Sequence, residues 1–253
     1  MIITNKFNLP GMYFRAVQAD PYDKGPSDFS ATGLANPPRA TALLELHGDT
    51  VEVDCSRKCA AMLGRGTHKA IEPGARPGLD IVEERFFADF LIDGKNYVIS
   101  AQIDQYEVDT KTLFDWKTTK AGAFTKKNGG GKKAEWASQM NVGAEIMRRQ
   151  PSPIFPEKLV ICGFLKDWYD FKVSDPGYPQ REIMTSEQTM WPREKVFEYI
   201  EKRVNLHVAA KESLPICTEN WGGGRCAQWC DANSVCSQYQ EAIKTGLMPK
   251  END

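Results

Sequence analysis

A chain of 253 residues, 41% hydrophobic and 26% charged, has the length for one large domain, or one domain with an appendage, and the apolar content for a real core. Its formal net charge of −2 excludes a generally basic nucleic-acid binder, so any polyanion contact must come from local clusters of lysine and arginine. The longest apolar stretch, residues 159–165, is far short of a membrane span, and no basic segment followed by an apolar run marks the N-terminus, so a cytoplasmic protein without membrane attachment is expected.

Residues 1–38 are rich in Pro, Gly, Asp and Asn and read as an irregular lead-in closed by Asn36-Pro37-Pro38. A short helix is predicted over 39–46 and a longer one over 59–72, where Met62, Leu63 and Ile71 keep helical spacing until Pro73-Gly74. Strands over 85–92 and 97–103 flank Asp93-Gly94, a hairpin signal, and an apolar run through Asp115 completes a meander. The segment 121–133, with Gly129-Gly130-Gly131, reads as a mobile loop. A helix over 134–149, a buried strand over 158–165, a further strand over 181–185 and a long amphipathic helix over 192–212 follow. This order fits a mixed sheet flanked by helices: an α/β (α+β mixed) fold over residues 39–212, with a Cys-rich segment over 213–253.

The chemistry concentrates between Gln102 and Lys120. Strand alternation projects Asp115 and Lys117 from one face, and the hairpin can bring Asp104 to the same place. Two carboxylates make a hard-oxygen site for Mg²⁺, and a neighbouring lysine can orient an attacking water. A solvated ion pair is the plainer reading of Asp115 and Lys117, worth a few tenths of a kcal/mol at most. Against it, Leu113, Phe114 and Trp116 make the strand largely apolar, where idle charges are costly.

Gly64-Arg-Gly-Thr-His68 on a helix, then Asp104, Asp115-Trp116-Lys117 and Gln139 on the next helix, resembles in order and spacing the RecB-like, phage-type branch of the PD-(D/E)XK nuclease superfamily. Asp167-Trp168, Tyr178-Pro179 and the helix carrying Glu201, Arg203 and His207 extend the likeness to residues 30–240. The resemblance implies a restriction-endonuclease-like core and a DNA nuclease, an exonuclease before an endonuclease, used in recombination, repair or DNA degradation. It implies Mg²⁺ or Mn²⁺ held by Asp104, Asp115 and the main-chain carbonyl of Trp116, with His68 a further metal ligand or a substrate contact, Lys117 orienting water and Gln139 holding Lys117 or the DNA backbone. A single-strand annealing protein is the partner it suggests, and host cytoplasm the location if the chain is phage-encoded. Gly143 departs from the pattern, since relatives often carry Tyr there. Glu84 is a further acidic candidate beside the metal, or a solvated strand-end charge.

Lys120, Lys126, Lys127, Lys132 and Lys133 form the best local basic patch, suited to phosphates or simply to solubility. The spacing Cys217-x8-Cys226-x3-Cys230-x5-Cys236 gathers four thiols in a Gly-rich segment, the usual complement for an iron–sulfur cluster or Zn²⁺. The fourth ligand is Cys217 or, in the family's arrangement, Cys55 or Cys59. Two other functions remain open: a catalytically silent nucleic-acid-binding or assembly module on the same fold, and a metal-stabilised scaffold presenting Trp221 and Trp229 to a protein partner.

Overall fold

In the computed structural model, which describes residues 1–19 and 24–248, the lead-in is built rather than irregular. Its elements are β1 (Ile2–Thr4), α1 (Gly11–Gln18), β2 (Phe29–Ser30) and α2 (Ala31–Ala35), too short for periodicity to reveal. Next come α3 (Pro38–His47), β3 (Glu52–Asp54) and α4 (Cys59–Ile71). The meander follows as β4 (Asp80–Ile92), β5 (Lys95–Glu107) and β6 (Thr112–Thr119), then α5 (Ala134–Arg148), β7 (Lys158–Leu165), β8 (Ile183–Gln188) and α6 (Arg193–Glu212). Two short helices, α7 (Gly224–Gln228) and α8 (Ser237–Lys244), end the described chain; residues 20–23 of the expected lead-in and 249–253 of the expected Cys-rich tail lie outside the described residues. No helix among the described residues is long and apolar enough to cross a membrane.

Contacts divide the chain into two units, one of residues 24–35 and 63–201, the other of 1–23, 36–62 and 202–253. The first is a mixed α/β unit around a six-stranded sheet. Asp93 and Gly94 take φ of 49° and 77°, the two positive values that a two-residue hairpin turn requires. They hold β4 and β5 in antiparallel register from Ile92↔Lys95 out to Asp80↔Glu107. The other edge of β5 is shared. Short β2 runs parallel to it at Ile99–Ser100, and β6 pairs antiparallel only at Gln105–Glu107 before splaying away to run parallel with β7 over its whole length. Asp104 sits where that splay begins.

Alternation along β6 assigns its faces. Lys117 reaches Gln139 of α5, whereas Thr118 meets Thr67 of α4, so the two helices cover opposite faces of the sheet. The core holds Ile99, Ile161, Leu159, Val142 and Ile146, each fully enclosed. At Gly143 a Cβ would lie 3.3 Å from the Ile103 side chain, so α5 sits close on β5 here and a larger residue would require Ile103 to shift.

The segment expected to be a mobile loop is instead folded. Gly129, Gly130 and Gly131 have φ of 83°, 61° and 85°, and their N–H groups donate to carbonyls of Lys126, Thr125 and Ala123. Buried Phe124 fills the space over Gly163 and Gly131, so the glycines serve a tight turn and a close ring contact rather than flexibility.

In the second unit β1 pairs parallel with β3, and α3, α7 and α8 share a small core of Leu43, Ala227, Ala232, Cys236 and Tyr239.

Candidate active site and cysteine pocket

Five elements of the first unit meet at the splay. The β5–β6 ladder stops at Gln105↔Phe114, and the Trp116 N–H, released from it, donates to Asp104 Oδ2 at 2.8 Å. His68 on α4 points its Nε2 at the carbonyl of Trp116, 3.1 Å away, and at Asp104 Oδ2, 3.6 Å away. On its other side, Nδ1 lies 2.8 Å from Glu83 Oε1 on β4. A carboxylate and a carbonyl only accept, so these partners favour the protonated ring, and ligation through Nε2 would displace its proton. The Glu83 hydrogen bond, working against burial, raises its pKa to about 9, and Asp104 adds to the effect. That same bond holds the Glu83 carboxyl below the usual range.

Asp115 is 7% exposed, and its Oδ1 accepts from Lys117 Nζ at 2.9 Å. The ammonium is also 2.8 Å from Oδ2, so it faces both oxygens of the buried carboxylate. Gln139 Oε1 stands 3.5 Å from the same ammonium. Burial, then the Asp115 charge, pushes the Asp104 carboxyl well above the usual carboxylate range. Burial opposes the Lys117 ammonium, yet Asp115 and Asp104 outweigh it and hold its pKa above the usual lysine value.

All five expected catalytic residues, His68, Asp104, Asp115, Lys117 and Gln139, therefore gather in one place. Among the described residues, the group of three metal-capable side chains within 4.8 Å of one another is His68, Glu83 and Asp104. Glu83 was missed at the sequence level; its neighbour Glu84 is exposed and joins nothing at the site. A signal existed. Counting the hairpin back from Asp93-Gly94 puts residue 83 opposite Asp104. Glu83 also holds φ at 51°, a left-handed value that costs a non-glycine residue about 1–2 kcal/mol and persists where the surroundings impose it.

The resemblance implies a divalent cation here, and the donors fit one. Once its Nε2 proton is given up, His68 presents that nitrogen beside Oδ2 of Asp104 and the Trp116 carbonyl, and Asp115 stands close enough to act on Asp104 through its charge. Glu83 occupies the outer position that orients a ligating imidazole through its second nitrogen.

Of the basic patch, Lys120, Lys126, Lys127 and Lys132 are exposed, whereas Lys133 is half-buried with its Nζ 4.5 Å from the Trp136 ring centre.

In the second unit Cys217, Cys226, Cys230 and Cys236 line one cavity of about 20 Å³ with Arg39, Leu43 and Tyr239. Cys55 and Cys59 do not line it. Cys55 is buried with its thiol 3.6 Å from Asn5 Oδ1, and Cys59 is exposed. Burial pushes the Cys217, Cys226 and Cys230 thiols up, Cys226 to about 11, with neighbouring thiols contributing. Arg39 is 8% exposed, and none of its partners is a carboxylate: it donates to Cys236 Sγ at 3.4 Å, to the carbonyls of Leu214 and Pro215, and to Ser237 Oγ. A buried guanidinium bonded to Cys236 Sγ, in a cavity that the other three thiols also line, is electrostatically matched to thiolates, so this donor set fits a thiolate-bound metal.

No family model and no curated protein matches the chain. Its fold is similar to the crystal structure of SSO0001, at 14% identity and a TM-score of 0.62, over 90% of this chain and 95% of that one. That likeness is one of fold.

Proposed function

We propose that the chain is a metal-dependent deoxyribonuclease with a PD-(D/E)XK core, hydrolysing phosphodiester bonds and acting from DNA ends. The observation that carries the reading is the convergence of His68 Nε2, Asp104 Oδ2 and the Trp116 carbonyl beside the Asp115–Lys117 pair. Structural charges at a sheet surface have no reason to assemble a hard-oxygen and imidazole donor set around a splayed strand pair, with a lysine at its side.

His68, Asp104, Asp115 and the Trp116 carbonyl would hold Mg²⁺ or Mn²⁺. When bound, such a cation supplies Lewis acidity toward a phosphate oxygen and lowers the pKa of water. The protein's own contribution is positional. Lys117, fixed by Asp115 and steadied by Gln139, presents its ammonium to the water and to the charge growing on the phosphate. Glu83 keeps the His68 ring turned toward the site. The exposed lysines Lys120, Lys126, Lys127 and Lys132 would neutralise the flanking phosphates. A recombination, repair or degradation role, with an annealing protein as partner, is consistent with this chemistry.

At the cysteine pocket we propose an iron–sulfur cluster or zinc, since four thiols lining one cavity suit either. Its role would be to staple the C-terminal segment. Iron, sulfide and zinc contents of the purified protein decide between the two metals.

Incubating linear and closed circular DNA with the protein and Mg²⁺ tests the activity. Loss of linear DNA with survival of the circles is expected. Cutting of circles makes it an endonuclease, and no metal-dependent cutting of either removes the reading.

A further inference from the structure

The loop that leaves β7 carries an aromatic feature the proposed chemistry leaves unused. It begins at the carboxyl end of the strand beside β6. Lys166 N–H donates to the Thr119 carbonyl, and the Asp167 carboxylate accepts from Ala121 N–H. The loop is cross-braced: Trp168 Nε1 donates to the Pro179 carbonyl, Tyr169 N–H to the Tyr178 hydroxyl, and Lys126 N–H to the Gly177 carbonyl. From this frame project Tyr169 and Phe171, 50% and 71% exposed. Their ring centres are 5.4 Å apart with planes tilted by 37°, so neither covers the other's face. Lys172 Nζ stands 5.3 and 5.8 Å from the two ring centres.

Two rings held open to water by a braced loop, capped by an ammonium and joined through Lys126 to the segment bearing Lys120, Lys126, Lys127 and Lys132, match one kind of ligand. It must offer flat apolar faces at intervals along a negative backbone. An unpaired nucleic-acid strand does so, whereas a duplex keeps its base faces stacked inside. Of the loop's acids, the Asp167 carboxylate is turned to Ala121 N–H and Asp170 to Phe171 N–H, so Lys172 is the charge set against the rings. Position agrees as well. Lys117 is level with Gly163 on β7, and the loop starts three residues later, roughly 10 Å along the strand. This is the carboxyl end of the strands, where open α/β sheets bind their ligands.

We propose that Tyr169, Phe171 and Lys172 form a base-stacking subsite for unpaired DNA on the loop that leaves β7. The inference rests on the nuclease reading and deepens it by naming a single-stranded segment as the substrate. Lys172 and the exposed lysines take phosphates, and the two rings take bases.

The test is fluorescence anisotropy of labelled oligothymidine and of a duplex of equal length, in EDTA so that no strand is cut. The full chain is compared with the Tyr169→Ala, Phe171→Ala double variant, Phe171→Leu and Phe171→Tyr, after circular dichroism has shown equal folding. Stacking on one ring contributes roughly 5- to 150-fold, so the double variant is expected to bind oligothymidine at least about 10-fold more weakly while duplex binding holds. Phe171→Leu, which keeps the loop apolar without a ring, should fall in the same direction, and Phe171→Tyr should hold. Unchanged oligothymidine binding by the double variant overturns the subsite, as does an equal loss on duplex, or a wild-type chain that binds no oligothymidine. Cleavage is scored separately. A chain that cuts DNA but ignores the ring substitutions loses the subsite alone, and one that binds through the rings without cutting loses the nuclease reading alone.

Discussion

Glu83 and Asp104 fall at the break in the β4–β5 ladder between Val82↔Gln105 and Glu84↔Ile103, and His68 bridges them, with Nδ1 2.8 Å from Glu83 and Nε2 3.6 Å from Asp104. The glutamate thus acts through the histidine. Replacing such an outer partner of a metal ligand typically costs roughly 10- to 100-fold in metal affinity. Glu83→Gln is expected to weaken Mn²⁺ binding by that factor, read by electron paramagnetic resonance titration, and to leave the fold intact. Wild-type affinity in the variant would remove Glu83 from the site.

Gly163 is level with Lys117, and a Cβ there would come within 2.3 Å of the Phe124 ring. Phe124 is buried and anchors the segment carrying the basic patch. Overpacking of this kind costs about 1–3 kcal/mol. Gly163→Ala should lower the urea midpoint accordingly. An unchanged midpoint would mean that Phe124 moves aside freely.

Arg39 tests the cysteine pocket through its charge. Arg39→Met removes the guanidinium that faces Cys236 while keeping similar bulk. The variant should purify with less bound metal per chain than wild type, and chelation of wild type should lower its thermal midpoint. Equal metal content would separate Arg39 from the site.

Arg76 clamps two carboxylates, reaching Asp80 at 3.0 Å and Asp109 at 2.9 Å. The Arg76 hydrogen bond holds the Asp80 pKa at about 2, below its ordinary 3.8. The folded form therefore keeps Asp80 ionised where the unfolded chain has begun to protonate. The contribution is complete above about pH 4 and is lost as pH falls through about 2. Asp80→Asn should be less stable than wild type at pH 7 in denaturant melts, and the gap should close toward pH 2. A gap independent of pH would assign the loss to packing.

Much of this was legible in the sequence for physical reasons. The 158–165 strand matches β7 because a short run of apolar residues bounded by polar ones has one easy solution, and the helices over 59–72, 134–149 and 192–212 kept their period. The strands 85–92 and 97–103 proved longer, thirteen residues each, running on through the charged positions Glu83 and Asp104. Asp104 therefore lies inside β5 rather than at its end. Glycine misled in the opposite direction: positive φ at 129–131 serves a packed turn, a role that composition alone cannot distinguish from looseness. The His68–Glu83 pairing needed register as well as motif, and Glu83's left-handed backbone has no sequence signature.

The central claim is that Lys117 and the acids beside it cut DNA with a divalent cation. The most direct measurement is single-turnover cleavage of end-labelled linear DNA by wild type and by Lys117→Ala, each with Mg²⁺, Mn²⁺ or EDTA. Cleavage by wild type that needs the cation, and a rate in the variant lower by roughly 100-fold or more, is the predicted result. Negligible cutting by both folded proteins, or equal cutting by both, would contradict it.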